Sequence, residues 1–152
     1  GMMVAKWGHQ QMTHRIQRVA FLNNTVVNCG GGGARGDWRG GLLLEPDPAE
    51  DILVANNILS GNPYAQLRVT LSLPPKRLTI RNNLIDGPGE NLTRGNLVKA
   101  PRFVDAAKKD FRLAPGSPGI DAGTFLPEIG PLDAAGHPRL QGRQVDIGAF
   151  ER

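Results

Sequence analysis

VAFLNNTVVN at residues 19–28, ILVANNILSG at residues 52–61 and LTIRNNLIDG at residues 78–87 are one phrase written three times. Each copy alternates apolar residues, bends at Asn-Asn, resumes with apolar residues and stops at Asn or Gly. The pairs Val19/Phe21, Ile52/Val54 and Leu78/Ile80 fall two apart, the period of a strand. From Asn24 to Asn57 is 57 − 24 = 33 positions, and from Asn57 to Asn83 is 83 − 57 = 26. Repeats of this length build arrays in which each unit stacks on the next.

The Asn pair has a physical reason. Asn enters the left-handed backbone region more readily than most residues that carry a side chain, so it bends a strand sharply without glycine. Its carboxamide also donates and accepts, so equivalent Asn residues in stacked turns can bond to one another as a ladder. Asn24, Asn57 and Asn83 are therefore expected to form a structural ladder. Val26, Leu59 and Ile85, just past the bend, are expected to point back into the core.

The composition agrees with short strands and turns. Apolar residues make up 39% of the 152, aromatics 5%, and there are 20 Gly and 12 Pro, which argues against a helical bundle. The net charge is +4, but both signs are interspersed, which favours a solvated surface over a nucleic-acid site. No stretch is long and apolar enough to span a membrane. Cys29 is the only cysteine, so no internal disulfide forms, and it reads as small structural filler.

Three regions follow: residues 1–18 as a cap or interface, residues 19–100 as the repeats, and residues 101–152 as a loop-rich tail. Residues 1–18 match the repeat poorly. Their apolar residues would cover the exposed first unit or bury against a second copy of the chain. His9 and His14 share no strand face and have no nearby carboxylate, which disfavours a metal site. The Gly-rich insertion at residues 30–41 accounts for most of the longer first step. It lacks the ending of a phosphate-binding loop and carries an Arg-Gly-Asp tripeptide and Trp38. Leu42 to Leu44 and the alternating run from Leu67 to Leu73 precede their Asn pairs by similar intervals, so they are expected to share one sheet. Aligning Leu44 with Leu71 turns Leu42, Leu44, Leu67, Val69, Leu71 and Leu73 inward, and Leu43, Glu45, Arg68, Thr70 and Ser72 outward. Asn96, Leu97 and Val98 are expected to add a last strand to that same sheet. Short elements are expected at residues 110–113 and 146–150. In the tail, Asp121, Asp133 and Asp146 are too far apart for a calcium loop of the usual kind. Buried ion pairs with Arg139 as shared cation are expected instead.

The repeated I-x-I-x-N-N-x-I phrase resembles that of right-handed parallel β-helix proteins of the pectate-lyase-like class. Phe103-Val104-Asp105, Asp110 to Leu113, Gly116 to Gly123 and Asp146 to Glu151 resemble the tail that closes many secreted bacterial β-helix proteins. The resemblance implies an all-β fold: a short right-handed parallel β-helix of about three rungs, with a loop-rich C-terminal cap, secreted or displayed on a cell surface. It also implies polysaccharide as the partner class. Enzymes of that class use carboxylates on one outer sheet face, with calcium, and a Lys or Arg base; others use paired acids. The positions here that answer to this are Glu45 and Arg68 with Asp47 nearby, while Trp38 and Tyr64 are the aromatics suited to a sugar face. One carboxylate beside one Arg reads more readily as a surface ion pair. The expectation is a structural or carbohydrate-contacting module without turnover of its own. The alternatives are a small polysaccharide lyase or glycoside hydrolase, and a homo-oligomeric assembly module. The chain is also expected either to self-associate or to continue from further rungs upstream.

Overall fold

The computed structural model describes residues 2–4, 16–30, 40–44, 49–69, 78–87 and 95–152. The first repeat unit contains β1 (Met2–Val4), β2 (Ile16–Leu22) and β3 (Thr25–Val27). The second contains β4 (Leu42–Leu44), β5 (Ala49–Ala55) and β6 (Ile58–Ser60). The third contains β7 (Leu67–Val69), β8 (Leu78–Arg81) and β9 (Leu84–Asp86), followed by β10 (Leu97–Val98). Each unit gives one strand to each of three sheets, ordered β1-β4-β7, β2-β5-β8 and β3-β6-β9-β10. Every pairing in these three sheets is parallel. The fold is therefore all-β, and each unit, or rung, lies one strand spacing beyond the last.

Left-handed residues make the corners. Arg18 and Asp51, at φ 55° and 58°, fall between the register pairs Gln17–Glu50 and Val19–Ile52 and bend β2 and β5. Asn23, Asn56 and Asn82, at φ 51°, 58° and 53°, make the second corner. The third falls at Asn28, Gly61 and Gly87. The first Asn of each pair thus supplies the bend, which frees the second for the ladder.

The inner core is built from period-two residues of all three sheets. Val26, Leu59 and Ile85 meet Ile52, Val54 and Ile80 from the second sheet and Leu42, Leu44, Leu67 and Val69 from the first. Val19, Phe21 and Leu78 pack against this cluster, and so does Cys29, as small filler should. The third sheet is buried on its outer face as well. Ile58 and Leu84 form a second cluster with Leu113 and Ile147, joined by Leu97, Phe103, Ile120 and Ala122. Each such fully buried aliphatic side chain contributes about 2 kcal/mol of transfer free energy. The adjacent apolar residues Ile58-Leu59 and Leu84-Ile85 are what a strand covered on both faces needs.

The tail supplies that cover. It begins with a hairpin, β11 (Phe103–Asp105) and β12 (Asp110–Leu113), whose Phe103 and Phe111 rings meet edge to face at 5.3 Å. It then runs along the third sheet toward the first rung. The expected short element at residues 110–113 is β12; residues 146–150 form part of the cover without making a strand.

Several expectations need correction. Leu44 lies opposite Val69, not Leu71, and Leu43 lies opposite Arg68. A shift of two residues leaves the same side chains on the same face, so the apolar pattern alone does not distinguish the two registers. Leu67 and Val69 do face the core with half-buried Arg68 between them. Leu43, expected outward, is only 4% exposed, so this strand is covered on both faces. Residues 96–98 join the third sheet, not the first: Leu97 pairs with Leu84. Met2–Val4 and the start of β2, assigned from sequence to a cap or interface, are strands of the first rung. Residues 5–15 and 70–77, with Leu71 and Leu73, lie outside the described residues.

Candidate functional site

The polar centre of the molecule is the second corner. The Asn24 Nδ2 donates to Asn57 Oδ1 at 2.8 Å, Asn57 Nδ2 to Asn83 Oδ1 at 2.9 Å, and Asn83 Nδ2 to Asn96 Oδ1 at 2.8 Å. Each accepting oxygen takes a second bond, from the main-chain N–H of the preceding Asn, at 2.9, 2.9 and 3.0 Å. The ladder expected of Asn24, Asn57 and Asn83 is thus present and has a fourth member, Asn96. Asn96 was missed because Gly95, at φ 96°, replaces the first Asn of the pair. Aligning Gly-Asn-Leu-Val at residues 95–98 with Asn-Asn-Leu-Ile at residues 82–85 would have found it.

The first Asn of the first two pairs points the other way, to the tail. Asn56 and Thr124 bond reciprocally: Nδ2 to the Thr124 carbonyl at 2.8 Å, and Thr124 N–H to Oδ1 at 3.0 Å. The Asn56 carbonyl accepts from Gly148 N–H at 2.8 Å. Asn23 Nδ2 reaches the carbonyl of Gly148 at 3.2 Å, and Thr25 Oγ1 accepts from Ala149 N–H at 3.0 Å. Thr25 occupies the register position of Ile58, Leu84 and Leu97. Where the outer column loses its apolar residue, a hydroxyl holds the tail instead.

Behind this seam lies a buried polar knot. Arg139 Nη1 bonds Glu151 Oε1 at 3.3 Å and the Gly148 carbonyl at 3.2 Å. The expected buried pair exists, but its carboxylate is Glu151. The aspartates instead bond main-chain N–H groups. Asp133 accepts from Ala135, His137 and Glu151, Asp121 from Arg143 and Gln144, and Asp146 from Asp121. Burial pushes Asp133 up, but its N–H donors outweigh that and leave it below the usual carboxylate range. Burial raises Asp146, and the Asp121 charge adds to that against the main-chain N–H of Asp121. Burial, together with the Asp146 charge, pushes Glu151 up to about 7 despite Arg139.

A cleft of about 270 Å³ opens beside the knot, between Val104, Arg112, Phe150 and Arg152, with His137 on its rim. Glu151 has an acidity suited to proton transfer near neutrality. Both its oxygens are engaged, however, one by Arg139 and one by the Asp146 N–H at 2.9 Å. The geometry is that of a lock rather than an acid–base pair.

The other sequence candidates do not converge on one place. Arg68 sits half-buried on β7. Tyr64 is 70% exposed in the turn between β6 and β7, at φ 73°. Glu45, Asp47, Trp38, His9 and His14 lie outside the described residues. Among the described residues, no group of three or more His, Cys, Asp or Glu side chains is placed to hold a metal ion, and no helix is long and apolar enough to cross a membrane. Compared with protein-family models, curated proteins and solved structures, the chain matches none.

Proposed function

We propose that this chain is a right-handed parallel β-helix whose role is structural: it completes and stiffens the helix of a secreted or cell-surface protein that acts on polysaccharide, and it turns over no substrate itself. The right hand follows from the strong preference of parallel strand crossovers for that hand. The polysaccharide setting rests on the resemblance of the repeated phrase and the tail motif. One observation carries the structural role. The ladder carboxamides bond one another, leaving only the Asn24 Oδ1 at the end of the ladder, and Asn23 and Asn56 bond the tail, so this polar array serves cohesion.

Sugar contact is the second reading, favoured by Tyr64, an exposed ring on a turn four residues from Arg68. An activity screen on pectin, alginate and glycosaminoglycans, paired with a glycan array, separates the readings. The structural role predicts no turnover and no array signal. A signal erased by Tyr64→Ala supports sugar contact. Product formation abolished by Glu45→Gln or Arg68→Ala contradicts both.

A further inference from the structure

The Asn ladder has a direction. Every oxygen in it, on Asn57, Asn83 and Asn96, accepts from the rung on its N-terminal side. Asn24 is the first member. Its Nδ2 is bonded, but its Oδ1 accepts no hydrogen bond among the described residues. The main chain beside it runs the opposite way, each carbonyl accepting from the rung on its C-terminal side. Ile58 N–H donates to the Asn24 carbonyl, Leu84 N–H to that of Asn57 and Leu97 N–H to that of Asn83, each at 2.8 Å. The equivalent donor in the first rung is Thr25 N–H, which the same geometry aims past the end of the stack.

The tail makes a wall at that end. Leu132, Asp133, Ala134, Arg139 and Ala149 face Met2 and residues 23–26 across a groove of about 460 Å³. Arg139 is 6% exposed, and its Nε is buried without a hydrogen-bond partner. Leu132, at the same groove, is 54% exposed. An unfilled carboxamide acceptor and an exposed apolar residue therefore border one space, with Arg139 in its wall.

We propose that this groove is the seat of one further rung: a strand–bend–strand polypeptide segment, parallel to β2 and β3, that sets a carboxamide and a main-chain N–H over Asn24 Oδ1. The inference rests on the structural reading above and names the partner that reading requires. A second copy fits worse. A twofold pair would oppose Asn24 Oδ1 to Asn24 Oδ1, two acceptors with no proton between them. Head-to-tail stacking would meet a stepped surface, because the sheets end at β7, β8 and β10, one strand out of level, whereas β1, β2 and β3 end level.

The register specifies the test. Met2 pairs with Leu42, and Leu42 with Leu67. Residues 42–66 are thus one full repeat, and a copy placed directly before Met2 continues all three sheets. In that fusion the amide exchange of Thr25 should slow by about tenfold or more, the protein should stay monomeric, and Asn57→Leu in the added copy should abolish most of the protection. Unchanged Thr25 exchange, with the added residues exchanging freely, overturns the proposal. So does concentration-dependent Thr25 protection in the parent chain, which would give the seat to a second copy. If the fusion does not fold, the peptide of residues 42–66 is added in trans to the intact chain. Slowed Thr25 exchange then supports the seat, and none at saturating peptide overturns it. The Asn57 amide in the parent reads the stack independently: its loss would refute the rungs themselves, not only the seat.

Discussion

The side-chain Nδ2 and the main-chain N–H of Asn57 both donate to Asn83 Oδ1, each at 2.9 Å. One residue thus directs two donors at one oxygen a rung away, while its own Oδ1 accepts the same two groups from Asn24. Asn57→Ala strips the Asn24 main-chain N–H of its acceptor and takes the Asn57 amide from Asn83 Oδ1. The expected cost is about 2–3 kcal/mol, read from urea unfolding midpoints. Asn24→Ala should cost less, about 1 kcal/mol, because only one side of Asn24 is bonded within the ladder.

Gly148 is where the tail meets the stack. It sits at φ 109°, and an added Cβ would lie 2.6 Å from Ile58 Cδ1 and 2.8 Å from Thr25 Oγ1. Gly148→Ala should therefore cost about 2–4 kcal/mol through both clash and backbone strain. Gly136→Ala is the control: φ is 83° but nothing lies within 4 Å, so strain alone acts, at about 1 kcal/mol. Equal losses in thermal melts of the two variants would mean that the tail is not seated against Ile58 and Thr25.

The knot makes stability depend on pH. Glu151 titrates at about 7 in the folded chain against an ordinary 4.5. Between those values the folded state holds a proton that the unfolded state has released, so stability falls as pH rises. Asp146 is raised too and acts in the same sense. Asp133, lowered, contributes stability above its ordinary 3.8 that is lost as pH falls. Stability should peak on the mildly acid side and drop by roughly 1–2 kcal/mol between pH 5 and pH 8. Urea melts of Glu151→Gln should show a flatter profile over that window. A wild-type profile that rises toward pH 8 would mean that Glu151 is ionised in the lock throughout.

The inner core was legible because its period of two is written in the letters: Val54 and Ile80, Val26, Leu59 and Ile85 all fall where the alternation puts them. The Asn pairs were legible as corners. Their division of labour was not, since two identical letters take opposite directions, one bending the chain and, at Asn23 and Asn56, gripping the tail, the other facing the ladder. Asn96, expected on a strand, was not expected in the ladder because glycine stands before it in place of the first Asn, and both residues suit a left-handed corner. The partner of Leu44 was misplaced because a slip of two residues keeps every face unchanged. The tail's knot was the least legible part. Asp121, Asp133 and Asp146 bond main-chain N–H groups, whose positions no residue type announces.

The measurement that tests the stack most directly is residue-resolved amide hydrogen exchange in wild type and in Asn57→Ala. In wild type the N–H groups of Asn24, Asn57 and Asn83 should all be protected, because each donates to a side-chain oxygen one rung away. In Asn57→Ala the Asn24 N–H loses its acceptor, while the N–H of residue 57 keeps Asn83 Oδ1. Exchange at Asn24 should therefore accelerate by about tenfold or more beyond the overall loss of stability, with residue 57 following only that overall loss. Equal acceleration at both sites, or exchange at all three in wild type as fast as at exposed Gly116, would contradict a stack joined rung to rung by its asparagines.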